Sequence, residues 1–416
     1  MPRGSFRRAA PPPSRRAGEH PRLEAFVRDV AQRAGGPAPD RVYVFHEANA
    51  FASLRRPRML AKRESIVGMG LPLLALLTES EMRAVLAHEV GHHIGGDVKL
   101  GPWVHRTRRA VARAVDRLEG SSFWLHLPFV AYAELFLRQS LRISRAQELS
   151  ADTVAARVAG PSAAVSALRK TEVLGAAWTT YFDCEVIPVL GHGRLPPLLE
   201  GFELYWRAAQ MPDTPAFESL SSAVEIAQAR DAHDTHPSLA ERVAALGDPP
   251  PLSDYAPPAL GLLDDVARVE EKVLRELLKD ENAKLTPVPW EAVADEVWLP
   301  VWRAAVAEAR VLASFSLADL PRAVSGWEAI AQSTRRGPLL SSPKAEHRRV
   351  MTLLSSWLAV RLAEEGFRVT APPGVQVRAV RDGREVSPFA VPAQLARGTL
   401  SDDAWRGFCA GESLPR

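Results

Sequence analysis

The chain has 416 residues, with 52 lysines and arginines against 49 aspartates and glutamates, a formal charge of +3. Such a length allows two or three domains with substantial cores, and so small a charge excess gives no footing for nucleic-acid binding, for which no finger, basic-zipper or RNA-platform pattern is present either. Two cysteines, Cys184 and Cys409, make neither a disulfide framework nor a metal-ligand spacing, and they fit a reducing compartment.

Residues 1–19 are rich in arginine and poor in acid and include Pro11-Pro12-Pro13, so they read as a disordered basic leader. They have no apolar stretch of the kind a secretory signal needs. Val42 to Phe45 reads as a strand, and Ile66 to Leu77 is apolar but only a dozen residues long. A membrane-spanning helix requires about twenty.

A helix is expected next. Thr78 followed three residues later by Glu81 forms a capping box, Met82, Val85, Leu86 and Val90 recur at helical spacing, and Gly95-Gly96 supplies a stop. Met82, Leu86, Val90 and His93 fall on one flank, rotated away from His88. The same helix carries His88-Glu89-Val90-Gly91-His92. Two histidines four apart are separated by about 40° around the axis and about 6 Å along it, so both imidazoles can reach one metal. Glu89 lies about 60° beyond His92, where it can touch a water at the metal without taking a ligand position. HExxH on a helix is the zincin signature.

A hydrolytic zinc site has three protein ligands and an open position. The extension HExxHxxGxxH holds through Gly95, but Val98 stands where the third ligand should be and Asp97 is out of register. The alternative is a glutamate on a later helix. Ser144-Arg145-Ala146-Gln147-Glu148-Leu149-Ser150-Ala151-Asp152 offers Glu148, a hard anionic ligand, with Asp152 on the same face as an acceptor that fixes the tautomer of a ligating histidine.

Between these motifs, Arg106, Arg109, Arg113 and Arg117 lie on an amphipathic helix. Phe123 to Leu141 follows, interrupted by His126, Pro128, Glu134 and Arg138, and reads as a buried helix of a cytoplasmic protein, with membrane-surface docking the less favoured reading. Helices dominate residues 161–247, and residues 248–258, opening Asp248-Pro249-Pro250-Pro251, read as a linker. In residues 259–416, Leu260, Leu263, Val266, Val273 and Leu277 keep helical spacing, a helix is expected from Ala345 to Glu365, and Asp382-Gly383 signals a β-hairpin. Six of the ten tryptophans fall here, as core candidates without any catalytic pattern.

Asn49-Ala50-Phe51-Ala52, Ile66 to Leu77, HEVGH, SRAQELSAD and Thr235-His236-Pro237 followed by Arg242 together resemble the gluzincin metallopeptidases of metallopeptidase family 48, which include the bacterial heat-shock protease HtpX and the CAAX prenyl endopeptidase. The resemblance covers roughly residues 20–247. It implies a mainly α (α+β) protein: a zincin-like core with a small β-sheet ahead of the HExxH helix, followed by a mostly helical C-terminal region with a hairpin. It further implies one Zn2+ per chain on His88, His92 and Glu148, with Glu89 as general base. His236 and Arg242 would lie at the active site, stabilising the oxyanion or bracing the ligand glutamate. A peptide or protein substrate would lie extended beside Val42 to Phe45 and its neighbours, with Asn49, Ala50 and Phe51 as contacts. The expected function is that of a zinc metalloendopeptidase. The alternative is an idle zinc-bound scaffold whose C-terminal region binds a protein partner, but a structural site has no use for a base beside it.

Overall fold

A computed structural model of the chain describes residues 20–55, 64–94, 144–231, 237–252, 256–277, 284–334 and 342–411, without the side chains of Arg55, His93, Ile94, Glu276, Leu277 and residues 224–231. The expected leader, the Gly95-Gly96 stop, the Arg106 to Arg117 helix, Phe123 to Leu141 and His236 therefore lie outside the described residues. The chain is mainly helical with small sheets, the expected α+β class. No helix among the described residues is long and apolar enough to cross a membrane.

The first compact unit comprises residues up to 179 together with 223–277. It opens with helix α1, Pro21–Ala34, which ends on left-handed Gly35. Three strands follow: β1 (Arg41–Phe45), β2 (Ala50–Arg55) and β3 (Glu64–Gly70). β3 takes the centre, parallel to β1 and antiparallel to β2. Its residues Ile66 to Gly70 are buried on both faces, which suits a β-branched and small-residue run. Gly68 faces the Phe51 ring so closely that an added Cβ would come within 2.3 Å of it.

Helix α2 (Leu71–Leu76) leads into α3 (Glu79–Ile94), which carries HExxH. The capping box forms as expected: the Thr78 amide donates to Glu81 at 2.9 Å and the Glu81 amide to Thr78 Oγ1 at 3.3 Å. Met82, Leu86 and Val90 are buried together. Each such side chain contributes about 1.5–3 kcal/mol when fully buried, so this flank fixes the rotation of α3 and with it the direction of the histidines. Helices α4 (144–159) and α5 (Pro161–Tyr181) pack beside it. Ala84 of α3 meets Ala155 of α4 and Ala164 and Ala167 of α5, while Val90 meets Ala31 and Ala34 of α1. Helices α6 (Leu239–Ala245) and α7 (Val266–Leu277) also belong to this unit.

The last residues of the expected linker are docked. Glu79 donates its amide to the Pro257 carbonyl at 2.8 Å, Ala259 donates to Leu77 at 2.9 Å, and Thr78 and Pro258 form a β-bridge. Pro257 thus satisfies one of the amides that the start of α3 leaves open.

The second unit groups residues 180–222 with 278–416, a partition that does not follow the proline run. The reason lies in specific bonds. Gly193 and Leu195 accept amides from Thr286 and Val288, Trp290 donates its indole N–H to Pro197 at 2.8 Å, and Glu185 accepts the Gly374 amide at 3.0 Å. The long helix Pro343–Glu364 buries Leu354, Trp357 and Leu358 at its centre, and Trp405 is wholly buried in the same core. The hairpin forms where Asp382-Gly383 predicts it, both residues with positive φ, between strands Arg378–Arg381 and Arg384–Val386.

Glu81 anchors the helix on which the histidines ride. Fully buried, it accepts from Thr78, from Ser166 Oγ at 2.5 Å and from Lys170 Nζ at 2.9 Å, so the start of α3 is tied to the middle of α5. Burial pushes its carboxyl up, but Lys170, Ser166 and the Thr78 amide outweigh burial and hold it below the usual range. Glu81→Ala should cost about 2–3 kcal/mol, since it strands several donors, one of them charged. A lowered urea midpoint with an unchanged slope is the expected readout. Because the folded pKa is depressed, this contribution is complete above the ordinary glutamate value and is lost as pH falls through the folded one, so wild type and variant should converge in acid.

Candidate metal centre

The cluster is built from two helices that touch. Gly91 stands inside HExxH where α3 crosses α4, and a Cβ there would sit 3.1 Å from the Ala151 backbone and 3.3 Å from Val154 Cβ. Glycine facing alanine lets the two backbones approach, and that approach carries Glu148 to the imidazoles. His88 Nε2 lies 3.1 Å from His92 Nε2 and 3.5 Å from Glu148 Oε2, and His92 Nε2 lies 3.7 Å from Glu148 Oε1.

These three side chains form a group that could hold a metal ion, with one donor atom from each, all within 4.8 Å of one another. The chemistry fits zinc. Bonds of about 2.0–2.2 Å in tetrahedral geometry imply donor separations of roughly 3.3–3.6 Å, close to those found. Two imidazoles and a carboxylate also match the nitrogen and oxygen preference of that ion. The local field favours a cation: burial pushes the His88 imidazole down, but Asp152, Glu148 and Glu89 together lift it to about 9.

Asp152, one turn beyond Glu148 on α4, is 2 % exposed and reaches His88 Nδ1 at 3.0 Å, obliquely to the direction of a good hydrogen bond. Its other contact is two-pronged. Arg242 of α6 donates from Nε to Oδ2 at 2.8 Å and from Nη2 to Oδ1 at 2.6 Å, and the same Nη2 lies 3.7 Å from Glu148. Burial works against charge on Asp152, yet Arg242 and His88 keep the carboxyl below its usual range. Helix α6 is fixed in turn by a capping box between Ser238 and Glu241. Arg242 thus grips Asp152 more closely than Glu148.

Glu89 faces the cleft that also holds His88, Asp152, Arg242, Asn49 and Ala50. Burial raises its carboxyl pKa against the opposing pull of His88 and His92, and the Ala52 amide donates to it. That amide comes from β2, whose other side pairs with β3. The cleft is thus bordered by β2, in the same sheet as β1 with Val42 to Phe45. Asn49 is locked in place: its amide donates to the Glu47 carbonyl, its carbonyl accepts from Gly70, and its side chain accepts from Ala50. Phe51 instead turns its ring over Gly68, 5.6 Å from the Phe45 ring. Sequence reading missed the Arg242–Asp152 pair and the part played by α5, since no local pattern links positions so far apart.

With this geometry in hand, known proteins give a consistent result. The sequence model of peptidase family M48 matches residues 17–249, more than half of the chain. The chain belongs to peptidase family M48. It is 32 % identical over 176 residues to a protease HtpX homolog of Thermococcus kodakarensis, covering 37 % of this chain and 57 % of that protein. The protease HtpX of Pseudomonas fluorescens is 28 % identical over 162 residues, 35 % of this chain and 53 % of its own length. A protease HtpX homolog of Acidiphilium cryptum is 31 % identical over 242 residues, 54 % and 73 % respectively. The chain therefore spans little more than half the length of the first two relatives. No solved structure matches it significantly.

Two substitutions test the arrangement. Gly91→Ala should push α3 and α4 apart by a few tenths of an ångström and weaken Zn2+ binding, read by competition with a chromogenic chelator. Asp152→Ala should lower Zn2+ affinity by about 10–100-fold, the usual cost of losing the partner that orients a ligating histidine.

Proposed function

We propose that the chain is a zinc-dependent metalloendopeptidase in which His88, His92 and Glu148 hold one zinc ion and Glu89 is the general base. The reading rests above all on the three convergent donors with a buried, non-ligating carboxylate beside them. Zinc bound there would supply Lewis acidity, polarising the scissile carbonyl and lowering the pKa of water towards about 7.

The chain's own groups have separate tasks. The Glu89 carboxylate takes a proton from the attacking water as its oxygen bonds to the peptide carbonyl carbon, then gives that proton to the amine nitrogen as the C–N bond breaks. The Ala52 amide holds Glu89 in position. Asp152 orients His88 through Nδ1, leaving Nε2 for the metal, and Arg242 neutralises Asp152 and steadies Glu148. His236, expected at the active site from the family resemblance, is assigned by that resemblance alone.

The substrate reading is a peptide added to β2 as a further strand. β2 is an edge strand, and its outer side carries the Ala52 amide next to Glu89. Asn49 and Ala50 line the same cleft, so a chain laid along β2 passes the base. A buried base has no purpose in an idle scaffold, and that favours the enzyme reading.

Glu89→Gln should retain one zinc per chain and lose about 10²–10⁴-fold in cleavage of an unfolded protein substrate, the range for removing a general acid–base. Zinc content by mass spectrometry and gel-based proteolysis, with and without chelator, check this. Loss of metal in that variant, or cleavage untouched by chelation, would contradict the assignment.

A further inference from the structure

Two helices bear the histidines and Glu148, and a third lies behind them. Val90 stands two residues from each histidine, so its side chain leaves α3 about 180° from the midpoint of the two imidazoles. There it is buried against Ala31 and Ala34, in the last turn of α1, with Val154 and Val158 of α4 packed on the same cluster. The chain leaves α1 through Gly35 and Gly36. Gly36, unlike Gly35, has no positive φ, so what demands a glycine there is contact: an added Cβ would stand 2.6 Å from Val90 Cγ1. The end of α1 therefore presses on α3 from the side opposite the imidazoles.

Polar contacts fasten α1 to both of these helices. Arg83 of α3 pairs with Asp29 and lays its guanidinium over the Phe26 ring, 4.8 Å from the ring centre. Asp29 also accepts from Arg33 at 2.9 Å, and the two arginines hold its carboxyl below the usual range. On the other side, Arg157 of α4 donates from Nη2 to the Ala34 carbonyl at 3.2 Å, one of those that the end of α1 leaves open. The start of α1 is held as well: Arg22 lies 3.4 Å from Asp264, in the stretch that follows the docked Pro257 to Ala259. Fixed at both ends and in its middle, α1 joins α3 to α4 as a splint spans a joint.

We infer that α1 splints the metal centre, with Asp29, Gly36 and Arg157 as positioning residues that keep Glu148 within reach of the imidazoles without touching metal or substrate. The inference rests on the metal-site reading and extends it to residues outside the cluster. The tolerance of the site makes such residues matter. Zinc–ligand distances hold within about 0.2 Å. A methyl group at Gly36 would need more than that to reach an ordinary contact with Val90, which begins at 3.4 Å. A valine in a helix is stiff at χ1, so the displacement passes to the backbone of α3 between the two histidines.

The test measures metal binding by the full-length protein. Zn2+ affinity is read by competition with a chromogenic chelator, and the visible spectrum of bound Co2+ reports the coordination geometry. Gly36→Ala should weaken Zn2+ by about 10-fold and shift the Co2+ bands, and adding Val90→Ala, which removes the opposed methyl groups, should recover most of the loss, as coupled neighbours do. Asp29→Asn, at a partly exposed position, should weaken Zn2+ by roughly 2–5-fold. Urea midpoints of the metal-free proteins, taken alongside, separate these effects from a general loss of stability. Should Gly36→Ala fail to fold, Asp29→Asn alone decides. Unaltered affinity and Co2+ bands in the folded variants, or a loss in Gly36→Ala that Val90→Ala leaves in full, would overturn the splint and leave the metal centre standing. A wild type that binds neither ion would overturn both.

Discussion

The close crossing of α3 and α4 at Gly91 and Ala151 is the constraint on which the site depends. A helix can place two imidazoles on one metal by itself, because four residues return nearly to the same face. It cannot supply the third donor at the same point. In the proposed site that donor is Glu148 of α4, and its carboxylate reaches the imidazoles because the two backbones meet without an intervening side chain. The capping box, the buried Met82–Leu86–Val90 flank and the Glu81 anchor all serve the same end, holding α3 in one rotation and one position along its axis.

The charges around the cluster are arranged in shells of alternating sign. Anionic Glu148 and Asp152 stand against the imidazoles, and Arg242 stands behind both carboxylates. Removing ions from water is costly unless each finds close partners, and here every member has at least one within 4 Å. Asp152 is the junction of this network, joining His88 on one side to a guanidinium on the other. Arg242 thus reaches from α6 to a site whose other parts lie on α3 and α4.

Much of this was legible in the sequence where the pattern is local. The capping box, the buried flank of α3, the HExxH spacing, the pairing of Glu148 with Asp152 on one face and the hairpin at Asp382-Gly383 all follow from offsets of one to four residues. What could not be read depends on long-range packing. The Glu81–Lys170 and Asp152–Arg242 bonds span 89 and 90 residues. The place of β3 between β1 and β2 is likewise set by packing, which periodicity cannot tell. Residues 180–222 join the C-terminal unit through long-range contacts, such as the Glu185–Gly374 hydrogen bond and the packing of Tyr181 on Trp290, which have no compositional trace.

The central claim is that both imidazoles of one helix and a carboxylate of another share a single metal ion. X-ray absorption at the zinc edge of the loaded protein, compared with Glu148→Gln, tests this most directly. Wild type should show two imidazoles and one carboxylate bound to zinc at about 2.0–2.2 Å, and the variant should lose the carboxylate contribution while retaining the imidazole scattering. A spectrum that Glu148→Gln leaves unchanged, or one lacking imidazole scattering, would contradict it.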